Sequence, residues 1–232
     1  LRVMKIGLYA ISDLHLSLSS DKPMDVFGEQ WNNHHERIRE NWIKKINDKD
    51  TVLIAGDVSW SMKMEDGLAD LEWIHNLPGR KIISKGNHDY WWGSISKLNN
   101  LYEDISFIQN NFFSYEDYAI CGTRGWTIPG DKSSSHDIKI YNREQIRLKL
   151  SLDKAVSSGY SKIIVMIHYP PVNDKFEASN FTEIFEEYGV EKVIYGHLHG
   201  PSLNRVFEGT YNGVEYIMTS CDYINFDPIK VI

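Results

Sequence analysis

Lys81-Ile82-Ile83-Ser84-Lys85-Gly86-Asn87-His88-Asp89 is the stretch that decides the fold. A short apolar run reaches a glycine, and side chains able to bind metals follow at once. Four other runs have the same form. Lys5–Ser12 leads into Asp13-Leu14-His15, Thr51–Gly56 into Asp57, Lys162–Ile167 into His168, and Lys192–Gly196 into His197-Leu198-His199. Each is rich in Ile and Val and has the length of a buried strand. In open α/β sheets, ligands gather at the carboxyl ends of the strands. Residues far apart in sequence are therefore expected to converge on one patch, and they are types that bind divalent metals.

Helical spacing separates these runs. A polar loop, Ser17–Pro23, precedes Trp31, His35, Ile38, Trp42 and Ile46, which fall on one helix face. A second helix is predicted near 64–76, ended by Pro78-Gly79, and a short one near 94–101. Ile105–Ile108 and Tyr118–Cys121, set around Asn110-Asn111, predict adjacent strands and a hairpin. Residues 122–137 are irregular and predict a long surface loop, a kind that often serves as a lid or binding loop. Beyond it Ile138, Tyr141, Gln145, Leu148, Leu152 and Ala155 predict a long helix with Asp137 as N-cap. A helix near 178–187 and a closing hairpin about Tyr211-Asn212-Gly213 complete the pattern. Strands alternating with helices, plus hairpins, argue for α/β layers with at least one mixed sheet.

The 232 residues fit one large domain, 1–232, better than two. No run approaches the roughly 18–20 apolar residues of a membrane helix. The segment Leu1–Ala10 runs straight into a strand-like stretch with no secretory leader, so a cytoplasmic location is expected. Cys121 and Cys221 stand far apart and are expected to be buried free thiols. A formal net charge of −7 disfavours a nucleic-acid-binding surface and favours a small-molecule partner.

The donor types suit two metals. A carboxylate has two oxygens with which to bridge, and Asp57 stands alone between the other clusters. Asp13 and His15 can both reach a metal if the chain leaves its strand there, and His197 and His199 can reach different metals in the same way. Asn87 offers a neutral carbonyl oxygen, and Pro170-Pro171 would fix the turn after His168. Bland roles compete: Asp after a strand often caps a turn, which applies to Asp13, Asp57 and Asp89. His34, His35, His75 and His136 are read as structural or surface residues; His136, in the long loop, is the only one of the four whose position also suits a place near substrate. Trp60, Tyr90, Trp91 and Trp92 either pack in the core or form an aromatic wall for an organic group. Arg124, Trp126 and Lys132 lie in the long loop, where a cation either grips a phosphate or is simply solvated.

Taken together, Asp13-x-His15, Gly56-Asp57, Gly86-Asn87-His88-Asp89, lone His168 and Gly196-His197-x-His199 resemble the calcineurin-like metallophosphoesterase superfamily. The resemblance implies a four-layer αββα sandwich, two mixed sheets flanked by helices, with the site on loops at one edge. It implies one metal on Asp13, His15, Asp57 and His199, and a second on Asp57, Asn87, His168 and His197. Two divalent ions of the Mn, Fe or Zn kind are implied, with a bridging hydroxide attacking a phosphate mono- or diester. His88 would be the general acid and Asp89 would orient it. One departure is visible: many members have an acidic residue where this chain has Trp60. Substrate-side residues are expected among Arg124, Trp126, Trp60 and Trp91. The competing expectation is a non-catalytic binding scaffold of the same fold, against which the complete donor sets and His88 count.

Overall fold

The computed structural model describes residues 6–20 and 22–232. Leu1–Lys5, the start of the first predicted strand and of the leader reading, lie outside the described residues, as does Asp21 of the Ser-rich loop. In chain order the elements are β1 (Leu8–Ile11), α1 (His34–Lys45), β2 (Thr51–Ala55), α2 (Met64–His75), β3 (Arg80–Ser84), α3 (Ile95–Leu98) and β4 (Ile105–Ile108). They continue with β5 (Phe113–Tyr115), β6 (Tyr118–Thr123), α4 (Ser135–Ser157), β7 (Lys162–Ile167), α5 (Asn180–Glu187), β8 (Lys192–Tyr195), β9 (Gly209–Tyr211), β10 (Val214–Met218) and β11 (Ile229–Lys230).

Two sheets form. The first has the order β11-β1-β2-β3-β4, parallel but for β11; the second has β5-β6-β7-β8-β10-β9, with antiparallel edges β5 and β9. Leu8, Ala10, Leu53, Ala55 and Ile82 of one sheet face Ile120, Ile164, Met166 and Ile194 of the other, all shut off from solvent. Their sequence neighbours point the opposite way, as the two-residue strand period requires. Val52, Ile54 and Ile83 thus meet Ile38, Trp42, Leu71 and Ile74 of α1 and α2. Val165, Val193 and Tyr195 meet Leu148, Leu152, Phe181 and Phe185 of α4 and α5. Both faces of each sheet are covered, which is why the strands read as unbroken apolar runs rather than alternating ones. The result is the αββα sandwich.

Register sets the site. Ile11 pairs with Ile54 and Ala55 with Ser84 in the first sheet; Thr123 pairs with Ile167, and Ile167 with Tyr195, in the second. The strand ends therefore come out level at one edge. There the sheets are joined, since Ser12 N–H donates to Thr219 O (2.8 Å) and Cys221 N–H to Ser12 O (3.1 Å). Both cysteines are free and buried.

Two expectations need correction. Asn110-Asn111 does not turn a hairpin: β4 belongs to the first sheet and the chain then crosses to β5 in the second. Asn110 at φ 61° makes that crossing, and the true hairpin is β5–β6. The N-cap of α4 is Ser134, not Asp137. Asp137 N–H donates to Ser134 Oγ, and the hydroxyl returns a bond to Asp137 Oδ2 (2.6 Å). The irregular segment is accordingly 124–134. After the predicted closing hairpin β9–β10 the chain returns to add β11 to the first sheet, a step with no short-range signal.

Candidate metal centre

The predicted donors meet at the level strand ends. Asp13 (φ 59°), His15 (φ 44°), Asp57 (φ 51°) and His197 (φ 75°) all sit in the left-handed region, which L-residues with a Cβ enter only at a cost. That conformation turns the chain out of its strand and lets residues two apart aim at the same place. Backbone bonds hold it. Asp13 N–H donates to Gly56 O (2.9 Å), and His15 N–H donates to Asp57 O (3.0 Å). His197 N–H donates to the Asp13 carboxylate (3.1 Å).

The side chains fall into two groups. In the first, His199 Nε2 is 3.1 Å from Asp13 Oδ1 and 3.4 Å from His15 Nε2. In the second, Asp57 Oδ2 is 3.3 Å from His168 Nε2, which is 3.3 Å from His197 Nδ1. Asn87 Oδ1 joins the second group, 2.8 Å from His168 Nε2 and 2.9 Å from His197 Nδ1. Asp57 Oδ2 also lies 3.9 Å from His15 Nε2, so one oxygen faces both groups.

This donor set fits metal ions. In each group two ring nitrogens point at each other at hydrogen-bond range, an arrangement that a cation taking both lone pairs would satisfy. Glycines make the necessary room. A Cβ at Gly86 would overlap the Asp57 carboxylate, and one at Gly196 would overlap Asp13 Oδ2 and Ser12 Oγ. The electrostatics agree. Burial would raise Asp13, but its bond and charge contact with His199, then His168 and His15, hold it far below the carboxylate range. Burial would likewise raise Asp57, yet His168 brings it to about 2. Burial lowers His168 and His199, but Asp57 lifts the first to about 9, and Asp13 with Asp222 lifts the second to about 10. Burial drives His15 to about 4, and burial with neighbouring His168 drives His197 to about 3. Two carboxylates share positive charge with two imidazoles, the balance a divalent cation would take over by displacing protons.

Asp89 departs from expectation. Its buried carboxylate does not orient His88. It accepts from the backbone N–H of Asp57 (3.0 Å), Val58 (2.9 Å), Ser59 (3.2 Å) and Gly86 (2.8 Å), and from the Trp91 indole (3.0 Å). Burial and the Asp57 charge raise it to about 6, and the N–H bonds from Gly86 and Ser59 oppose that rise. Asp89 therefore ties the Asp57 turn to the Asn87 turn. His88 is positioned through its own backbone N–H, which donates to Asp57 Oδ1 (2.8 Å).

The substrate-side expectations divide. Trp60 stacks on His15 (centroids 4.8 Å, 21°) and faces His88 at 4.3 Å, so it does stand at the centre. Trp91 is a correction: it is buried against Gly67 and Asp89 in the core. Arg124 turns away as well. Its guanidinium lies over Trp126 (4.5 Å) and near Glu144 (3.6 Å), while its carbonyl accepts from His168 N–H. Trp126 donates to Asp137 and contacts Tyr169, whose ring is 4.2 Å from that of His197; Trp126 is thus one layer removed from the donors. Of the histidines read as structural, His34 is buried and bonds Leu14 O (2.9 Å), clamping the turn between Asp13 and His15.

Two contributors escape the sequence reading. Asp222 Oδ1 accepts from His199 Nδ1 (2.8 Å) and its Oδ2 from Gly200 N–H (3.0 Å); Ser220 Oγ donates to Asp13 Oδ2 (2.9 Å). The signal was present, since Val214–Met218 is a sixth apolar run and Asp222 lies just beyond its end. Its hairpin pattern hid it.

Comparison with known proteins agrees with this geometry. The family model described as calcineurin-like phosphoesterase matches residues 7–201. A relative, the gene 66 protein of Mycobacterium phage D29, is 24% identical over 220 residues, covering 93% of this chain and 88% of its own. The crystal structure of phosphopantetheinyl hydrolase from Mycobacterium tuberculosis superposes with a TM-score of 0.57 at 13% identity, covering 98% of this chain and 96% of that one. A crystal structure from Thermus thermophilus gives 0.59 at 10% identity over 92% and 89%. These two likenesses bear on the fold. No helix among the described residues is long and apolar enough to cross a membrane. The chain belongs to the calcineurin-like phosphoesterase family, and it is a metal-dependent hydrolase of phosphate esters.

Proposed function

We propose that the enzyme works with two divalent cations, one on Asp13, His15, Asp57 and His199 and the other on Asp57, Asn87, His168 and His197, and with His88 as general acid. The observation that carries this reading is Asp57 Oδ2, a single oxygen facing both donor groups. When bound, such ions supply Lewis acidity and lower the pKa of water toward neutrality. The nitrogen and oxygen donors suit Mn, Fe or Zn, and no thiolate among them selects a softer ion.

The chain's own residues do the rest. Asp89 fixes the spacing of the Asp57 and Asn87 turns through its N–H bonds. Asp222 and Ser220 hold His199 and Asp13 in orientation. Half-buried His88 borders a cavity next to the first group, where a protonated ring could donate to a departing alcohol oxygen. The substrate is a small phosphate ester, mono- or diester, in keeping with the acidic balance of the chain.

The test compares leaving groups. His88→Asn should lower hydrolysis of an alkyl phosphate by roughly 10²–10⁴-fold. It should cost a nitrophenyl ester much less, because nitrophenolate departs without a proton. Equal losses on both esters would remove His88 from the acid role. A purified protein that retains no metal and cleaves neither ester would favour a binding scaffold.

A further inference from the structure

Beside the first donor group lies a cavity of about 360 Å³, a size common for small-molecule sites. One wall is chemical, made of His15, His88 and His199. The others are apolar: Met24, Phe27, Trp31 and Trp60, with Gln30 contributing an amide. None of these four was selected by the metal-donor pattern, and three of them come from a separate piece of chain. Residues Met24–Phe27 and Glu29–Trp31 form two 3₁₀ turns, hinged at Gly28 with φ 132°.

The walls are built rather than incidental. Trp31 is buried, packed edge-on against His34 (5.3 Å) and Phe226 (5.1 Å). Trp60 is held by His15 on one side, and its indole N–H points at Met24 Sδ (3.0 Å). Phe27 stands at the rim, 63% exposed. A phenyl ring left so open beside a reaction centre loses apolar stabilisation that a bound apolar group would restore.

Position decides which part of a substrate goes there. A general acid must lie beside the leaving oxygen, and the His88 ring lines this cavity. From the other donor group His197 borders a different, more polar cavity, where Asn173, Asp174, Lys175 and Arg205 stand beside Tyr169 and Leu198. We infer that the cavity of Met24, Phe27, Trp31 and Trp60 receives the alcohol portion of the substrate, and that this alcohol carries a flat aromatic group. Three aromatic rings in the lining, Phe27, Trp31 and Trp60, favour a ring over a flexible chain, because rings pack face-on or edge-on against other rings with little entropy to lose. This inference rests on the proposed role of His88 and extends it to substrate class.

The experiment uses the metal-loaded protein with phenethyl, ethyl and octyl phosphates, whose leaving alkoxides are alike in basicity. Calorimetry with the non-hydrolysable phenethyl- and ethylphosphonates runs beside it. The phenethyl ester should exceed the ethyl ester in kcat/KM by about ten- to a hundredfold, and the phosphonates should bind in the same order. Phe27→Ala, exposed enough not to threaten folding, should shrink both ratios several-fold. Val26→Ala, 71% exposed and outside the cavity lining, should leave both ratios as they were. Ratios near one, or ratios indifferent to Phe27→Ala, overturn the inference even if all esters are hydrolysed. Octyl phosphate outrunning the phenethyl ester overturns the aromatic assignment in favour of a chain. A phosphonate preference without turnover of any ester would show an aromatic binding site but overturn its assignment to the leaving alcohol, whereas ester turnover with ratios near one overturns the aromatic inference and leaves the His88 test standing.

Discussion

The two sides of the metal centre use similar donors and face different surroundings. In the first group, His15 and His199 line a cavity with Met24, Phe27, Trp31 and Trp60, while Asp13 lies buried behind them. In the second group, Asp57 and His168 are buried, and His197 with Tyr169 lines a cavity of about 380 Å³ also bordered by Asn173, Lys175 and Arg205. Donors come from the ends of buried strands, where register leaves little freedom. Cavity walls come from the connecting segments, which a rigid scaffold leaves free to vary. Reaction and selectivity are therefore encoded in different parts of the chain.

The largest test attacks what the two sides share. Asp57→Asn removes the charge of the one oxygen facing both groups, so both should fail together. Metal content after dialysis should fall toward zero, and turnover should drop by more than the roughly 10–100-fold typical of residues behind the ligands. Retention of one tightly held ion would show that the sides are independent. A more selective test is Asp222→Asn, which leaves His199 without its carboxylate partner. Affinity for one of two ions should fall about 10–100-fold with the other unchanged, read by metal titration. Loss of both ions equally would break the division into sides.

The smallest effect is expected away from both. Lys81, buried in β3, bonds Asp104 (2.6 Å), which also bonds exposed His75 (2.6 Å). Partial burial would raise Asp104, but Lys81 and His75 bring it below the ordinary carboxylate value of 3.8. Its folded pKa is thus depressed. The stabilisation is full above the unfolded value and is lost as pH falls through the folded one. Asp104→Asn should cost about 1–2 kcal/mol at neutral pH, with the deficit closing as pH drops below 3.8. Urea titrations at several pH values would measure it. Metal content and ester preference should stay as in the parent; any change would link this corner to the centre.

Some of this was legible beforehand and some was not, for physical reasons visible in single residues. His168 reads as a donor because an apolar strand delivers it. Trp60 and Trp91 are indistinguishable as sequence, each an aromatic near a donor block. Only packing sends Trp91 under Asp89 and leaves Trp60 on His15. Asp89 follows His88 directly, yet its carboxylate turns back to four backbone N–H groups of two neighbouring turns. Arg124 looks like a phosphate-binding cation until Glu144, twenty residues away in α4, comes into place beside it.

From the sequence alone came the candidate donors, the buried strands that carry them and the layered α/β architecture. Strand period, apolar length and side-chain chemistry are local, so they survive being written in one dimension. Tertiary structure decided which donors share a group, which carboxylate stands behind His199, and that one side of the centre is apolar. Those depend on strand register, on the left-handed turns at Asp13, His15, Asp57 and His197, and on the 3₁₀ turns of Met24–Trp31 closing over the strand ends. Such relations arise only when segments far apart in the chain compete for the same space.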